Sequence, residues 1–288
     1  MSMGTYLADA AENLTVAGPS ATFTYRRMGP RGAVPLVLLN RFQGTIDWWD
    51  PEFLDHLAAD HDVIVFDDIG VGYTTGEPRD SVEGFADGAT EFIDALGLTQ
   101  VDLLGWTLGG VVAQHVALRR PDLVRRLVLA ASNPGGELPG MPPPDAGVRR
   151  IMAGPAVTAD DMVYLFFPDN DAGRAAGHAY LARVGTRLAT GRPELSDAAA
   201  AGQAAAIASS GAVPFERLRE NLARIEKPVL HATGMRDVMI PALASFVAVQ
   251  NLPSATLVVY GDAGHAFLFQ HATDFATQVT NFLEEHTP

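Results

Sequence analysis

The stretch "DLLGWTLGGVVAQHVAL", residues 102–118, sets an apolar, strand-like run ahead of a glycine-framed turn and a helix-like run behind it. The turn reads Gly105, Trp106, Thr107, Leu108, Gly109, and Gly110 follows. This is the pattern G-x-S-x-G with threonine at its centre, a pattern in which a tight turn lifts the central side chain clear of the backbone. The glycines have a mechanical reason, because the strand and the departing helix approach there too closely for larger side chains. Five residues with two fixed glycines carry little information alone, since glycine-rich strand-to-helix turns are common. What surrounds Thr107 decides whether it is a reactive group.

Outward from the turn, short β-branched runs alternate with amphipathic segments. That is the pattern of strands joined by crossover helices in an α/β, mostly parallel, doubly wound sheet. Strands are predicted at "ATFTYRR", "VPLVLLN", "DVIVFDD", "VDLLGW", "RRLVLAAS", "PVLHAT" and "ATLVVYG". Helices are predicted at "PEFLDHLAAD", "SVEGFADGATEFIDALG", "GGVVAQHVALRR", "PALASFVAVQN" and "DFATQVTNFLEEH". In the second of these, Phe85, Ala89, Phe92, Ile93 and Leu96 share one face. "QGTIDWWDP" predicts a helix start with Asp50 as N-cap and Pro51 in the first turn. The alternation stops after Ser132, where a proline-rich entry leads into alanine-rich helical sequence with no clear strand, and it resumes at "KPVLHAT". The expected organisation is a core over residues 1–133, a helical lid over 134–224 and the rest of the core over 225–288. The lid would cover the carboxyl edge of the sheet, where open parallel sheets bind ligands.

Composition narrows the function. The 288 residues carry a formal charge of −14, from 34 acidic and 20 basic side chains, with no basic block. Nucleic acid and anionic membranes are therefore not expected partners. The absence of cysteine excludes disulfides, thiolate metal sites and a cysteine nucleophile. The opening "MSMGTYLADAAENLTV" has neither a basic segment nor an apolar run of signal length, so a cytoplasmic protein is expected. The expected partner is a small-molecule substrate, and a homodimer is left open. No H-x-x-x-H spacing or carboxylate cluster asks for a metal, and "GWTLGG" lacks the lysine of a phosphate loop, so neither metal nor other cofactor is expected.

Two further polar residues complete a constellation. "HATGMRDVMIP" puts Asp237 just beyond a strand, and "VVYGDAGHAFLFQ" puts His265 just beyond the next. The order Thr107, Asp237, His265 is that of nucleophile, acid and base in the elbow arrangement. The histidine would take the hydroxyl proton and later return it, while the aspartate orients the ring and stabilises its charged form.

On these motifs the chain resembles the α/β-hydrolase family from about Thr15 to its end. "FDDIGVGYTTG" is similar to the family's D-x-x-G-x-G-x-S loop, with Asp67, Gly70, Gly72 and Thr74 at matching positions. The resemblance implies an oxyanion hole from the backbone amides of Phe42 and Leu108, although Asn40 and Arg41 stand where the family commonly has His-Gly. Such donors are typically worth about 3 to 4 kcal/mol each. It implies a triad hydrolase of an ester, lactone or related carbonyl compound. The aromatic lid segment "MVYLFF" with Trp48, Trp49 and Trp106 points to a mainly apolar pocket, for which Arg41, Trp106, Phe166 and His178 are candidate lining residues. Met162, Leu165 and Phe166 could equally seal the lid onto the core.

The remaining histidines have plainer readings. His115 and His231 are expected as satisfied histidines of a helix and a buried strand, and His56, His61, His271 and His286 as surface residues. Threonine leaves the chemistry open. Its hydroxyl can be activated as serine's can, but its methyl stiffens χ1 and resists a positive φ, at a cost of about 1 kcal/mol. The alternatives are a lyase or cyclase using Thr107 and His265 for proton transfer, and a binding protein or engineered chain whose site is impaired by threonine in place of serine.

Overall fold

The structure, a computed structural model, describes residues 6–154, 156–191 and 195–285. Eight strands form one sheet: β1 (Leu14–Ala17), β2 (Thr22–Met28), β3 (Leu36–Leu39), β4 (Val63–Phe66), β5 (Val101–Trp106), β6 (Val124–Ala130), β7 (Val229–Gly234) and β8 (Ala255–Tyr260). Their order is β1-β2-β4-β3-β5-β6-β7-β8. β1 and β2 pair antiparallel, as do β2 and β4, and every other pairing is parallel.

The central strands show why the sequence folds this way. β3 and β4 are buried at every position, as continuous apolar strands in a sheet covered on both faces should be. Successive residues alternate between two cores. Leu36, Leu38, Val63 and Val65 join one with Phe53 and Phe275. Val37, Leu39, Ile64 and Phe66 join the other with Phe85, Phe92 and Val112. β1 does not announce itself in the sequence, because "LTVA" is a largely exposed edge strand that pairs with β2 and packs only Val16 against the core.

Before the sheet lies the short α1 (Leu7–Ala10). The crossover and flanking helices are α2 (Pro51–Ala58), α3 (Val82–Ala95), α4 (Leu108–Arg119), then, beyond the insertion, α10 (Ala242–Asn251), α11 (Phe267–Gln270) and α12 (Ala272–Glu284). Asp50 caps α2 by accepting from the Glu52 amide at 3.0 Å, with Pro51 in the first turn. Ser81 caps α3, whose Phe85, Ala89, Phe92 and Ile93 are buried while Leu96 packs partly buried at its end. Between β6 and β7 stand five helices, α5 (Ala146–Met152), α6 (Ala159–Phe166), α7 (Asp171–Leu188), α8 (Asp197–Gly211) and α9 (Phe215–Ala223), and no strand among the described residues. The parallel register sets Leu39 beside Gly105, Trp106 beside Ala130, and Gly234 beside Tyr260. The chain therefore leaves β3, β5, β6, β7 and β8 along one edge of the sheet.

Candidate active site

Thr107 is the hinge between β5 and α4. Its backbone, at φ 52° and ψ −110°, lies in a region that non-glycine residues rarely adopt. The glycines around it are required by contact: a Cβ on Gly105 would strike the Gly109 backbone, one on Gly109 the Leu39 carbonyl, and one on Gly110 the Ser132 hydroxyl. The turn is held at both peptide groups. The Thr107 N–H donates to the Ala130 carbonyl at 3.0 Å, and its carbonyl accepts from Ser132 Oγ at 2.7 Å. Its half-buried side chain lines a cavity at the sheet edge.

His265 lines the same cavity. Its Nδ1 is 2.7 Å from Asp237 Oδ2, and both side chains are buried. The other oxygen of Asp237 accepts from the amides of Met239 and Ile240, each at 2.8 Å. Three hydrogen bonds thus converge on one carboxylate and fix its aim. His265 Nε2 is buried with no hydrogen-bond partner among the described residues. The imidazole lies beside the rings of Trp106 and Phe166, and the Ala266 amide donates to the Phe166 carbonyl at 2.8 Å. A Cβ on Gly234 would collide with the carbonyls of Ala263 and Gly264, so the glycine in "HATG" is what lets the Asp237 and His265 loops meet.

The segment after β3 carries the other polar atoms. Asn40 replaces a histidine of the family pattern and ties the segment down: its Nδ2 donates to the Phe66 carbonyl and its Oδ1 accepts from Trp49 Nε1, each at 2.8 Å. The buried Asp67 accepts from the Ile46 and Tyr73 amides at 2.8 and 3.0 Å, while burial pushes its carboxyl up to about 7. Gly72 has φ 58°, and a side chain there would overlap the Asp67 carboxylate. Neither Phe42 nor Leu108 donates its backbone N–H to a protein acceptor among the described residues.

The cavity has two lobes that share Phe42, Thr107, Met152 and Met239. One, about 800 Å³, also meets Arg41, Trp48, Phe166 and His265. The other, about 430 Å³, is lined by apolar side chains including Leu108, Val111, Ile207 and Ile240, and no charged residue among the described residues borders it. The Arg41 guanidinium lies 5.0 to 5.5 Å from the ring centres of Trp48, Trp106 and Phe166 and donates to the Phe42 carbonyl at 2.6 Å.

The structure gathers Thr107, Asp237, His265, Phe42, Leu108, Arg41 and Phe166 at this edge. Four expectations are corrected. His178 points to solvent from α7 and lines neither lobe, because the buried face of that helix runs through Gly173, Gly177, Tyr180 and Val184. Trp106 is buried behind the wall, against Phe166 and Phe269, and supports the imidazole without reaching the cavity. His61 is also buried, 3.0 Å from Thr280 Oγ1, and desolvation lowers its pKa. His231 lies in the core, but neither ring nitrogen has a partner among the described residues, and burial pushes its pKa down to about 4. His115, His56 and His271 are half-buried, and His286 lies outside the described residues. Sequence reading missed Ser132, Asn40 and Gln203. Their side chains act on distant backbone, and only an unexpected buried polar residue type could have marked them. No three His, Asp or Glu side chains among the described residues are arranged to hold a metal ion, and no described helix is long and apolar enough to cross a membrane.

An eight-stranded, mostly parallel sheet with a strained strand-to-helix turn and an Asp-His pair at its carboxyl edge defines a class of α/β proteins built around a nucleophile elbow. The chain belongs to the α/β-hydrolase family, whose model, described as alpha/beta hydrolase fold, matches residues 34–272. It is 31% identical over 235 residues to a 2-hydroxymuconate semialdehyde hydrolase of Pseudomonas putida, covering 77% of each chain. It is 32% identical over 213 residues to a pimeloyl-[acyl-carrier protein] methyl ester esterase of Neisseria meningitidis serogroup C, covering 70% of this chain and 75% of that one. Among solved structures, an alpha/beta hydrolase fold protein from Chitinophaga pinensis superimposes with a TM-score of 0.87 at 29% identity, covering 97% of this chain and 99% of that one.

Proposed function

We propose that the protein hydrolyses an ester, lactone or related carbonyl compound through an acyl-Thr107 intermediate. The observation that carries this reading is His265, whose Nδ1 is held by Asp237 while its Nε2 is buried, unpartnered among the described residues and in the same cavity as Thr107. Nε2 takes the Thr107 proton as Oγ1 attacks the carbonyl carbon. The negative charge that develops on the carbonyl oxygen is received by the amides of Phe42 and Leu108. Collapse of the tetrahedral species breaks the bond to the leaving group, which takes the proton from His265. Water then attacks the acyl group, giving its proton to His265, which returns it to Thr107 as the acid departs.

The two lobes divide the substrate. His265 borders only the larger lobe. A leaving group that is protonated by His265 departs on that side, beside Arg41. The acyl part then occupies the smaller, apolar lobe. In this reading the insertion over residues 134–224 is a lid: Met152 and Ile207 reach both cavity and solvent from α5 and α8.

The test is intact-protein mass spectrometry with an aryl phosphonate on wild type, Thr107→Ala and Thr107→Ser. The expected outcome is an adduct on wild type and Thr107→Ser that is lost in Thr107→Ala. Labelling of Thr107→Ser alone would refute the acyl-enzyme and turn the reading to a lyase or cyclase in which Thr107 and His265 only move protons.

A further inference from the structure

The peptide group joining Phe42 to Gln43 is pinned from both sides. Its carbonyl accepts from Arg41 Nη1 at 2.6 Å, and its N–H, that of Gln43, donates to Gln203 Oε1 at 2.7 Å. Gln203 belongs to α8, 160 residues further along the chain, and is buried to 1% exposure. Gln43 needs such a hold, because it is a non-glycine residue at φ 55°, a conformation that persists only where its surroundings impose it.

The insertion grips this segment at its other end too. Tyr180 on α7 donates its hydroxyl to the Trp48 carbonyl at 2.9 Å, and Arg183 pairs with Asp50. Nor is α8 loosely laid on the core. A Cβ on Gly202 would strike the Arg79 carbonyl, and Ala199 and Ala206 are fully buried, so the helix sits flush with the turn that brings Gln203 to Gln43.

From this we infer that Gln203 is a positioning residue for the oxyanion-binding amide of Phe42, so that the reactive site is complete only while α8 is docked. The inference rests on the acyl-enzyme reading above for what the Phe42 amide does. Its structural half, that Gln203 holds the turn at Gln43, is independent of that reading. The helical insertion then assembles the site as well as covering it: a substrate that displaces α8 loses the amide that would stabilise its transition state.

The test compares wild type with Gln203→Met, which has similar length and no acceptor, and Gln203→Glu, which keeps an acceptor for the Gln43 amide. Gln203→Leu repeats the loss with different packing. Hydrogen exchange of the peptide spanning residues 41–50 is expected to show one amide exchanging at least ~10-fold faster in the Met and Leu variants than in wild type or Gln203→Glu. Phosphonate labelling at Thr107 and kcat on an aryl ester are expected to fall about 10- to 100-fold in the Met and Leu variants, less than the loss typical of deleting a donor outright, with KM nearly unchanged. Gln203→Glu should retain most of the wild-type rate. Unchanged exchange overturns the latch whatever the activities do. Faster exchange with unchanged labelling and turnover overturns the positioning role. A wild type that is not labelled at Thr107 removes the acyl-enzyme reading and the catalytic half of this inference, and the exchange measurement still decides the structural half.

Discussion

Replacing Thr107 by serine separates what the threonine methyl costs the fold from what it costs the chemistry. At φ 52° a β-branched residue is strained, and release of that strain is worth about 1 kcal/mol. Against this, the side chain is only half-buried, so the lost methyl contributes at most about 0.5 kcal/mol of burial. Thr107→Ser is therefore expected to be more stable by about 0.5 kcal/mol, raising Tm by one or two degrees. The kinetic effect should be larger. In the proposed reaction the methyl competes with the carbonyl under attack for space beside Oγ1, and relief of about 1.4 kcal/mol in that crowding is a tenfold gain in rate. Stopped-flow measurement of an aryl ester resolves the acylation burst from steady turnover, and calorimetry gives the stability. An acylation rate no higher than that of wild type would refute the steric argument. A loss of more than about 1 kcal/mol in stability would refute the strain argument separately.

Other expectations follow from the same geometry. Asp237→Asn cannot accept from the Met239 and Ile240 amides and hold the His265 tautomer together, so kcat should fall by about 10⁴-fold with little change in KM, read in steady-state kinetics of a correctly folded variant. If the apolar lobe takes the acyl part, each added acyl methylene should raise kcat/KM about fourfold until the lobe is filled, whereas lengthening the alcohol should not; equal slopes in the two series would contradict the division of the cavity. His231→Leu should change the acid stability. The folded chain keeps this ring neutral down to about pH 4 while the unfolded chain takes up a proton near 6.5. Wild type therefore loses about 3 kcal/mol as pH falls through that window, and the variant should not. Urea titrations at pH 7, 5 and 4 give the difference directly, and parallel curves would show that His231 does not titrate in the fold.

Much of this architecture is readable before any coordinates, and the reason is local. The parallel strands are continuous apolar runs, the caps at Asp50 and Ser81 precede their helices directly, and the glycines of the elbow are dictated by close contacts within a few residues or one strand away. The candidate residues Thr107, Asp237 and His265 are legible because each follows a strand. What escapes is carried by long-range contact. β1 is placed by its pairing with β2 and one packed residue, Val16, and His178 falls on a helix whose apolar stripe is made of glycines, one tyrosine and one valine, too sparse to tell its faces apart. Trp106 occupies an elbow position that invites a pocket role, but the alternation of β5 turns it into the core with Leu104.

The same distinction bears on why threonine is tolerated at the elbow. Nothing in the turn depends on the side chain of residue 107: its amide is held by Ala130, its carbonyl by Ser132, and its closeness to β3 and β6 is set by glycines that cannot be enlarged. The backbone is over-determined, so a strain of about 1 kcal/mol is absorbed without altering the fold. The methyl is therefore free to act on the reaction alone. Stiff about χ1, it limits the directions from which Oγ1 can approach a carbonyl. In the proposed reaction a serine in the same turn would rotate to meet many esters, whereas Thr107 would need a substrate whose two arms, one in each lobe, already present the carbonyl along the permitted direction. On that proposal substrate preference is set jointly by the lobes and the methyl, and Thr107→Ser should broaden the range of esters accepted as well as raise the rate on any one of them.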